Sequence, residues 1–257
     1  MDILRREIDE IYKAQVLDAC ELDAERLEEC LRRVGVMSEI DGACRVVTDA
    51  SADTSYMFNG RTGSYLGIAG GSLLRQTIDS SDEDELYMRL HPRDLVEKRM
   101  LEYEFFKFVD SLPENLKCSY KSTCRIRIAN NDGGYTWIDN STRMLELSPC
   151  GKFWLILCSY AVSPYGAPGN GISPAIINEL TGEVRSMSFA EKRATVLSAR
   201  EKEILLLIGE GLMSKEIAVR LGISVNTVNR HRQNILEKLS VDTSIEALNA
   251  AQAMGVL

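Results

Sequence analysis

Ser224-Val225-Asn226-Thr227-Val228-Asn229-Arg230-His231-Arg232-Gln233-Asn234-Ile235-Leu236-Glu237-Lys238-Leu239 is the stretch from which the rest of the chain is read. Val225, Val228, Ile235, Leu236 and Leu239 recur at helical spacing and form an inner face. Asn226, Asn229, Arg230, Arg232, Gln233 and Glu237 take the outward positions, and Ser224 can cap the helix start. Three more helices surround it. Ser198 and Glu201 have the spacing of a capping box, followed by Ile204, Leu205, Ile208 and Leu212 and a stop at Gly211. Ser214 can cap a short helix that buries Ile217, Ala218 and Leu221 and ends at Gly222. Thr243 and Glu246 repeat the capping box before Ile245, Leu248 and Ala251, with an end near Gly255.

Only Gly222-Ile223-Ser224 separates the second helix from the third. Two short helices joined by a tight glycine turn are the sequence form of a helix-turn-helix, whose second helix enters the major groove N-terminal end first. The residue types agree with that use. Asn and Gln pair bidentately with adenine and Arg with guanine, while hydroxyls and free amides at a helix start favour phosphate oxygens.

The runs Leu197-Ser198-Ala199-Arg200-Glu201, Gly211-Leu212-Met213-Ser214-Lys215-Glu216-Ile217-Ala218 and Leu221 to His231 resemble the LuxR-type (LuxR/FixJ) DNA-binding domain. The resemblance implies sequence-specific binding of double-stranded DNA as a homodimer, with the fourth helix often at the dimer contact and RNA polymerase as a partner. It implies that Asn229, Arg230 and Gln233 face bases and that Ser224, Thr227 and Lys238 lie near the DNA backbone; by position Ser224, Asn226 and Thr227 stand at the helix start, where phosphate oxygens are favoured. A lysine is common in the family where this chain has Asn229 or Gln233.

At 257 residues the chain has room for about two domains, and its 45% hydrophobic and 26% charged composition is that of a globular protein. No apolar run approaches 18 residues, and Met1 to Glu10 is too charged for a signal peptide. The 7 cysteines are odd in number and form no C-x-x-C pair, which predicts reduced, mostly buried thiols in a cytoplasmic protein. The net charge of −8 lies outside the C-terminal region. From Leu197 on, Arg200, Lys202, Lys215, Arg220, Arg230, Arg232 and Lys238 cancel Glu201, Glu203, Glu210, Glu216, Glu237, Asp242 and Glu246. An acidic companion domain lowers non-specific DNA affinity and leaves discrimination to base contacts.

Residues 1–36 read as a helical segment, with Ile8, Ile11 and Tyr12 on one stripe, Leu27, Cys30, Leu31 and Val34 on another, and Gly35 as its stop. Residues 37–185 change pattern. Strands are predicted at Cys44–Asp49 and Ser55–Asn59, a short helix at Asp82–Leu90, and a long helix from His91-Pro92-Arg93-Asp94, bearing Leu95, Met100, Tyr103, Phe106 and Val109. Strands at Cys118–Ile128 and Tyr135–Leu147 flank a turn at Asn130-Asn131-Asp132-Gly133-Gly134. The apolar run Phe153–Cys158 suits a central strand, and 176–184 a hairpin turning at Thr181-Gly182. Residues 186–196 read as a linker and 197–257 as the DNA-binding domain.

His91-Pro92-Arg93-Asp94-Leu95, Arg125-Ile126-Arg127 and Asp132-Gly133-Gly134-Tyr135-Thr136-Trp137-Ile138 resemble a PAS sensor domain. The resemblance implies a five-stranded antiparallel sheet with helices over one face and a pocket between them. The fold expected is therefore α+β: N-terminal helices and a PAS-like sheet, then an all-α four-helix unit. No flavin-binding Asn-Cys-Arg-Phe-Leu-Gln-like stretch occurs, and His91 reads as structural and not as a haem ligand. No cofactor is expected, and an unidentified small organic ligand is compatible. Its pocket would set Met100 and Tyr103 opposite Trp137, Trp154 and Ile156. The competing readings are a phosphorylation-responsive regulator, an acyl-homoserine-lactone receptor and a protein-interaction module. No Ser/His/Asp or metal-ligand constellation points to an enzyme.

Overall fold

The computed structural model describes residues 8, 10–12, 15, 17, 22–68, 75–79, 84–168, 171–189, 197–239, 241, 243–254 and 257. Eight strands form one antiparallel sheet: β1 (Cys44–Asp49), β2 (Thr54–Phe58), β3 (Gln76–Ile78), β4 (Tyr120–Ala129), β5 (Tyr135–Leu147), β6 (Phe153–Val162), β7 (Ala175–Asn178) and β8 (Val184–Ser186). Their order is β3-β2-β1-β6-β5-β4-β7-β8. Five strands were expected. The 176–184 hairpin is present, but it extends the sheet by pairing β7 with β4, and β3 adds a short edge strand beside β2. The β4–β5 turn forms as its composition dictates: Asn130 Oδ1 accepts from the amides of Asp132 (3.1 Å) and Gly134 (3.0 Å), and Gly133 takes φ +80°.

The long helix α4 (Pro92–Asp110) follows α2 (Gly60–Tyr65) and α3 (Asp84–Tyr87) and precedes α5 (Glu114–Lys117). His91 Nδ1 caps α4 by accepting from the Arg93 amide at 3.2 Å, with Pro92 in the first turn. Asp94 then clamps β4, accepting from the Arg127 amide (2.8 Å), Nε (2.9 Å) and Nη2 (2.6 Å). Over this face of the sheet lie Met100 and Leu101 with Cys44, Val46, Ile126, Ile138 and Tyr160.

The other face is covered in part by α1 (Ala24–Asp41), whose Cys30, Leu31 and Val34 pack with Val47, Leu155 and Leu157. This helix does not stop at Gly35. Gly35 is helical and lets Phe58 approach, since a β-carbon there would lie 3.2 Å from the Phe58 ring. The stop is Gly42, at φ +76°, whose amide donates to Ser38 O at 3.0 Å. In the N-terminal segment Ile8 is buried against Phe105, Phe106 and Phe153, and the Tyr12 and Phe106 rings lie 5.2 Å apart.

The C-terminal unit contains α6 (Ala199–Gly209), α7 (Ser214–Leu221), α8 (Val225–Leu239) and α9 (Ser244–Met254). Ile204, Leu205, Ile217, Val228, Ile235, Leu239, Ala247 and Ala251 form its core. Ile245, expected inside, is 71% exposed, because α9 turns the small residues Ala247, Ala250 and Ala251 inward. Val96 of α4 packs against the same core, and α4 touches α9. The expected linker is shorter than 186–196 at its start. Ser186 closes β8, the Met187 amide donates to Pro174 O at 2.8 Å, and Phe189 is buried in the sheet core. Its remaining residues, 190–196, lie outside the described residues, as do Cys20, the Asp82 end of the short helix, Asp242 and Gly255.

Candidate nucleic-acid interface

The α7–α8 turn is built from local backbone chemistry. Gly222 adopts φ +65°, and the Ile223 amide reaches back to Ala218 O at 3.0 Å, the six-to-one bond of a Schellman end. Two residues later Ser224 Oγ accepts from the Thr227 amide at 3.0 Å and starts α8, while its hydroxyl pairs with that of Thr227 at 2.8 Å. Arg200 of α6 closes the other side by donating to Leu221 O at 3.0 Å. The capping boxes at Ser198/Glu201 and Thr243/Glu246 are both made. Ser214 is not a cap. The Met213 amide donates to Glu216 Oε2 at 2.7 Å, which satisfies the helix start without a side chain at that position, and Ser214 Oγ accepts from Arg232 instead.

The outward residues of α8 divide into two groups. Asn226, Asn229, Arg230 and Gln233 are exposed and make no hydrogen bond or ion pair among the described residues. Their spacing places them on one stripe about 10 Å long, the rise of three base-pair steps. Arg232 is drawn inward, donating to Ser214 Oγ (3.0 Å) and Ser244 Oγ (2.9 Å), so it ties α8 to α7 and α9. Lys238, expected beside the DNA backbone, pairs with Glu201 at 2.7 Å. Burial alone would raise the Glu201 carboxyl, but Lys238 and the amide and hydroxyl of Ser198 hold it below its ordinary value. Sequence reasoning missed the Arg200 and Arg232 tethers, which join residues 21, 18 and 12 positions apart.

Among the described residues, the five expected around a ligand fall in different clusters. Tyr103 and Ile156 share a cluster with Phe105 and Phe153. Met100 belongs to the neighbouring core, Trp154 packs with α1, and Trp137 is half-buried beneath the Arg127 guanidinium, 5.2 Å from its ring centre. The inner face of α4 instead carries charge. Lys98 is fully buried, 2.9 Å from Glu102 Oε1 and 3.4 Å from Thr142 Oγ1. Tyr87 donates to the same Glu102 oxygen, and Arg99 approaches the other at 3.7 Å. Burial works against both ions, yet each stabilises the other's charge: the Lys98 pKa is raised and that of Glu102 lowered. The nearby Cys124 thiol is pushed by burial up to about 12. The helical spacing of Asp94, Lys98, Leu101, Glu102 and Phe105 was the available signal for this face.

Residues 195–251 match the family of bacterial regulatory proteins, luxR family. The C-terminal four-helix unit is therefore a LuxR-family helix-turn-helix domain. The chain is 50% identical over 60 residues to the uncharacterized response regulatory protein YgeK of Escherichia coli (strain K12), covering 23% of this chain and 41% of that one. It is 31% identical over 129 residues to the transcriptional regulatory protein DesR of Bacillus subtilis (strain 168), covering 43% and 65%. The chain thus spans less than two thirds of the length of these relatives. Among solved structures, VqmA of Vibrio cholerae aligns over 88% of both chains with 15% identity and a TM-score of 0.30.

Proposed function

We propose that this chain is a DNA-binding transcription regulator in which α8 reads the major groove and the N-terminal sheet domain controls its presentation. The observation that carries the reading is the exposed stripe Asn226, Asn229, Arg230 and Gln233, polar and without internal partners at the start of a capped helix. In this reading Asn229, Arg230 and Gln233 contact bases, while Ser224, Asn226 and Thr227 meet phosphates at the positive helix end. Lys238, 2.7 Å from Glu201, is read as holding α8 on α6. Two chains bind as a homodimer on two-fold-related half-sites, with RNA polymerase as the downstream partner and the cytoplasm as the setting. Among the described residues no helix is long and apolar enough to cross a membrane.

The sheet domain is read as a PAS-like sensor, supported by the order β2-β1-β6-β5-β4 at its centre and by the His91-Pro92 start of α4. Its bounds are drawn at about residues 43–189, preceded by the N-terminal helical segment that ends at Gly42 and followed by a short linker to the DNA-binding domain at 197–257. A small-molecule input on the α4 side would find its polar contacts at Lys98, Glu102 and Tyr87. Such a ligand acts only through different affinities for the DNA-competent and incompetent arrangements.

The test is selection of duplexes from a random library by the full chain. A recovered motif whose binding falls steeply with salt is the expected result. Recovery of no sequence preference at low and moderate salt overturns the reading.

A further inference from the structure

The sheet face opposite α4 carries a polar trough that the DNA-binding reading does not use. Two rows of side chains cross its floor. Arg45 pairs in register with Ser159, Ser159 with Ser141, and Ser141 with Thr123, a row spanning β1, β6, β5 and β4, about 14 Å at ordinary strand spacing. The next row runs from Ala161 through Asp139 to Arg125. One wall is the end of α1 at Asp41. The other is the loop bearing Tyr165, Ala167 and Pro168. These residues enclose an open cavity of about 760 Å³, within the size range of small-molecule sites.

The lining is unusual for a sheet surface. Solvent-facing strands favour β-branched and aromatic residues, whereas this floor has serines and an alanine at its centre. Its donors are not all used. Arg45 is only 6% exposed; its two terminal nitrogens bond Asp41 at 2.8 and 2.5 Å, one of them also Ser38 Oγ at 3.4 Å, but Nε is buried without a partner. Arg125 donates from Nε to Asp139 at 2.7 Å and from Nη1 to Gly166 O at 3.3 Å, and its Nη2 makes no hydrogen bond among the described residues. Its guanidinium stands 5.1 Å from the Tyr165 ring centre, and that ring is 66% exposed.

This chemistry selects among ligands. Arg45 holds the Asp41 carboxyl at about 2, so that pair is fully ionised at neutral pH and cancels in charge, as the Arg125–Asp139 pair does. A trough whose two guanidiniums are each already paired with a carboxylate offers no net charge to neutralise a phosphate dianion, while the unused Arg125 Nη2 can take a single carboxylate. Its apolar lining comes from Ala43, Ala161, Ala167, Pro168 and the Tyr165 ring, with no long aliphatic side chain to hold an acyl chain. One spare guanidinium nitrogen, Arg125 Nη2, and a hydroxyl row suit a ligand rich in acceptors, with one carboxylate and several hydroxyls, and an exposed aromatic wall suits the face of a sugar ring.

We infer that this trough is a binding site for a sugar acid, whose carboxylate is taken by Arg125 and whose hydroxyls lie along Ser159, Ser141 and Thr123. The site is distinct from the α4 side of the sheet and from α8, and the inference does not rest on DNA binding.

The test is calorimetric titration of the full chain, without DNA, with D-glucuronate and D-galacturonate and with D-glucose as the neutral control. Saturable binding of a uronate is expected, about tenfold tighter than glucose because a charge-assisted contact is lost with the carboxylate. Ser141→Leu, which fills the floor and leaves both ion pairs intact, weakens it at least about tenfold by steric exclusion. Ser159→Leu replaces that variant if it shows no cooperative melt. Absence of uronate binding overturns the proposal, as does unchanged affinity in a folded floor variant. Sedimentation showing a dimer that either floor variant dissociates also overturns it, because a second copy of the chain then fills the trough.

Discussion

Lys238 of α8 lies 2.7 Å from Glu201 of α6, so the last-turn cation of the candidate recognition helix is bonded within its own domain. A lysine that neutralises a phosphate contributes about 0.9 to the slope of log affinity against log salt. Lys238→Ala is therefore expected to leave that slope within about 0.3 of the parent value while lowering the melting temperature. Salt titrations of binding to the selected duplex check it, and a loss near one whole unit would return Lys238 to the DNA backbone.

Glu201 closes the capping box as well as the ion pair. Glu201→Gln is expected to destabilise the C-terminal unit by about 1–2 kcal/mol, a value kept low because Lys238 is partly exposed. The sign of its pH dependence follows from the lowered carboxyl pKa. The ionised form contributes stability above the ordinary carboxylate range, and this is lost as pH falls through the lowered folded value. The melting difference between parent and variant thus shrinks on acidification below about pH 4.3. Calorimetry across that range measures it, and a difference that widens toward acid contradicts the assignment.

Arg230 has no internal partner, so its loss is expected to act on recognition and not on folding. On the proposed reading Arg230→Ala is expected to remove one bidentate base contact, about 1–3 kcal/mol of discrimination, with an unchanged melt. Competition between the selected duplex and single-base variants reads this directly. Full discrimination in the variant would place the base contacts elsewhere.

The features legible in the sequence are those set within four or five residues. Gly222, the Ser224 cap and the boxes at Ser198/Glu201 and Thr243/Glu246 were readable because both partners lie in one turn. What escaped is decided by distant chain. Gly35 reads as a stop until Phe58 is known to pack on it, and Gly42 then ends the helix. Trp154 reads as facing Met100 and Tyr103 but packs with α1, because a continuous apolar strand shows no alternation from which to take its face. The stripe on α4 is wider than its apolar residues show: Met100, Phe106 and Val109 are buried as read, but Lys98 and Glu102 look like a solvated i, i+4 pair, and only β4 to β6 above them make the pair interior. On α8 the bases of the proposed contact were visible by residue type, but the engagement of Arg232 and Lys238 depends on α6, α7 and α9.

That interior pair gives the sharpest test of how the two halves communicate. Lys98 and Glu102 are buried on α4, and Val96 on the same helix packs against the C-terminal core. Removing one ion strands the other: Lys98→Met leaves the Glu102 carboxylate with Tyr87 and Arg99 alone, and is expected to cost about 3–5 kcal/mol. Lys98→Met combined with Glu102→Leu removes both charges and should cost less than the single change, since an apolar replacement of a buried pair is often neutral. Denaturant titration followed by tryptophan fluorescence reports the domain that holds Trp137 and Trp154, while hydrogen exchange of α9 amides reports its neighbour. The single variant is expected to raise α9 exchange and the double variant to restore it, because α4 carries both contacts. Strictly additive energies would mean that Lys98 and Glu102 do not act as a pair, and α9 exchange indifferent to Lys98 would mean that the pair stabilises the sheet domain alone and that α4 does not couple it to the C-terminal helices.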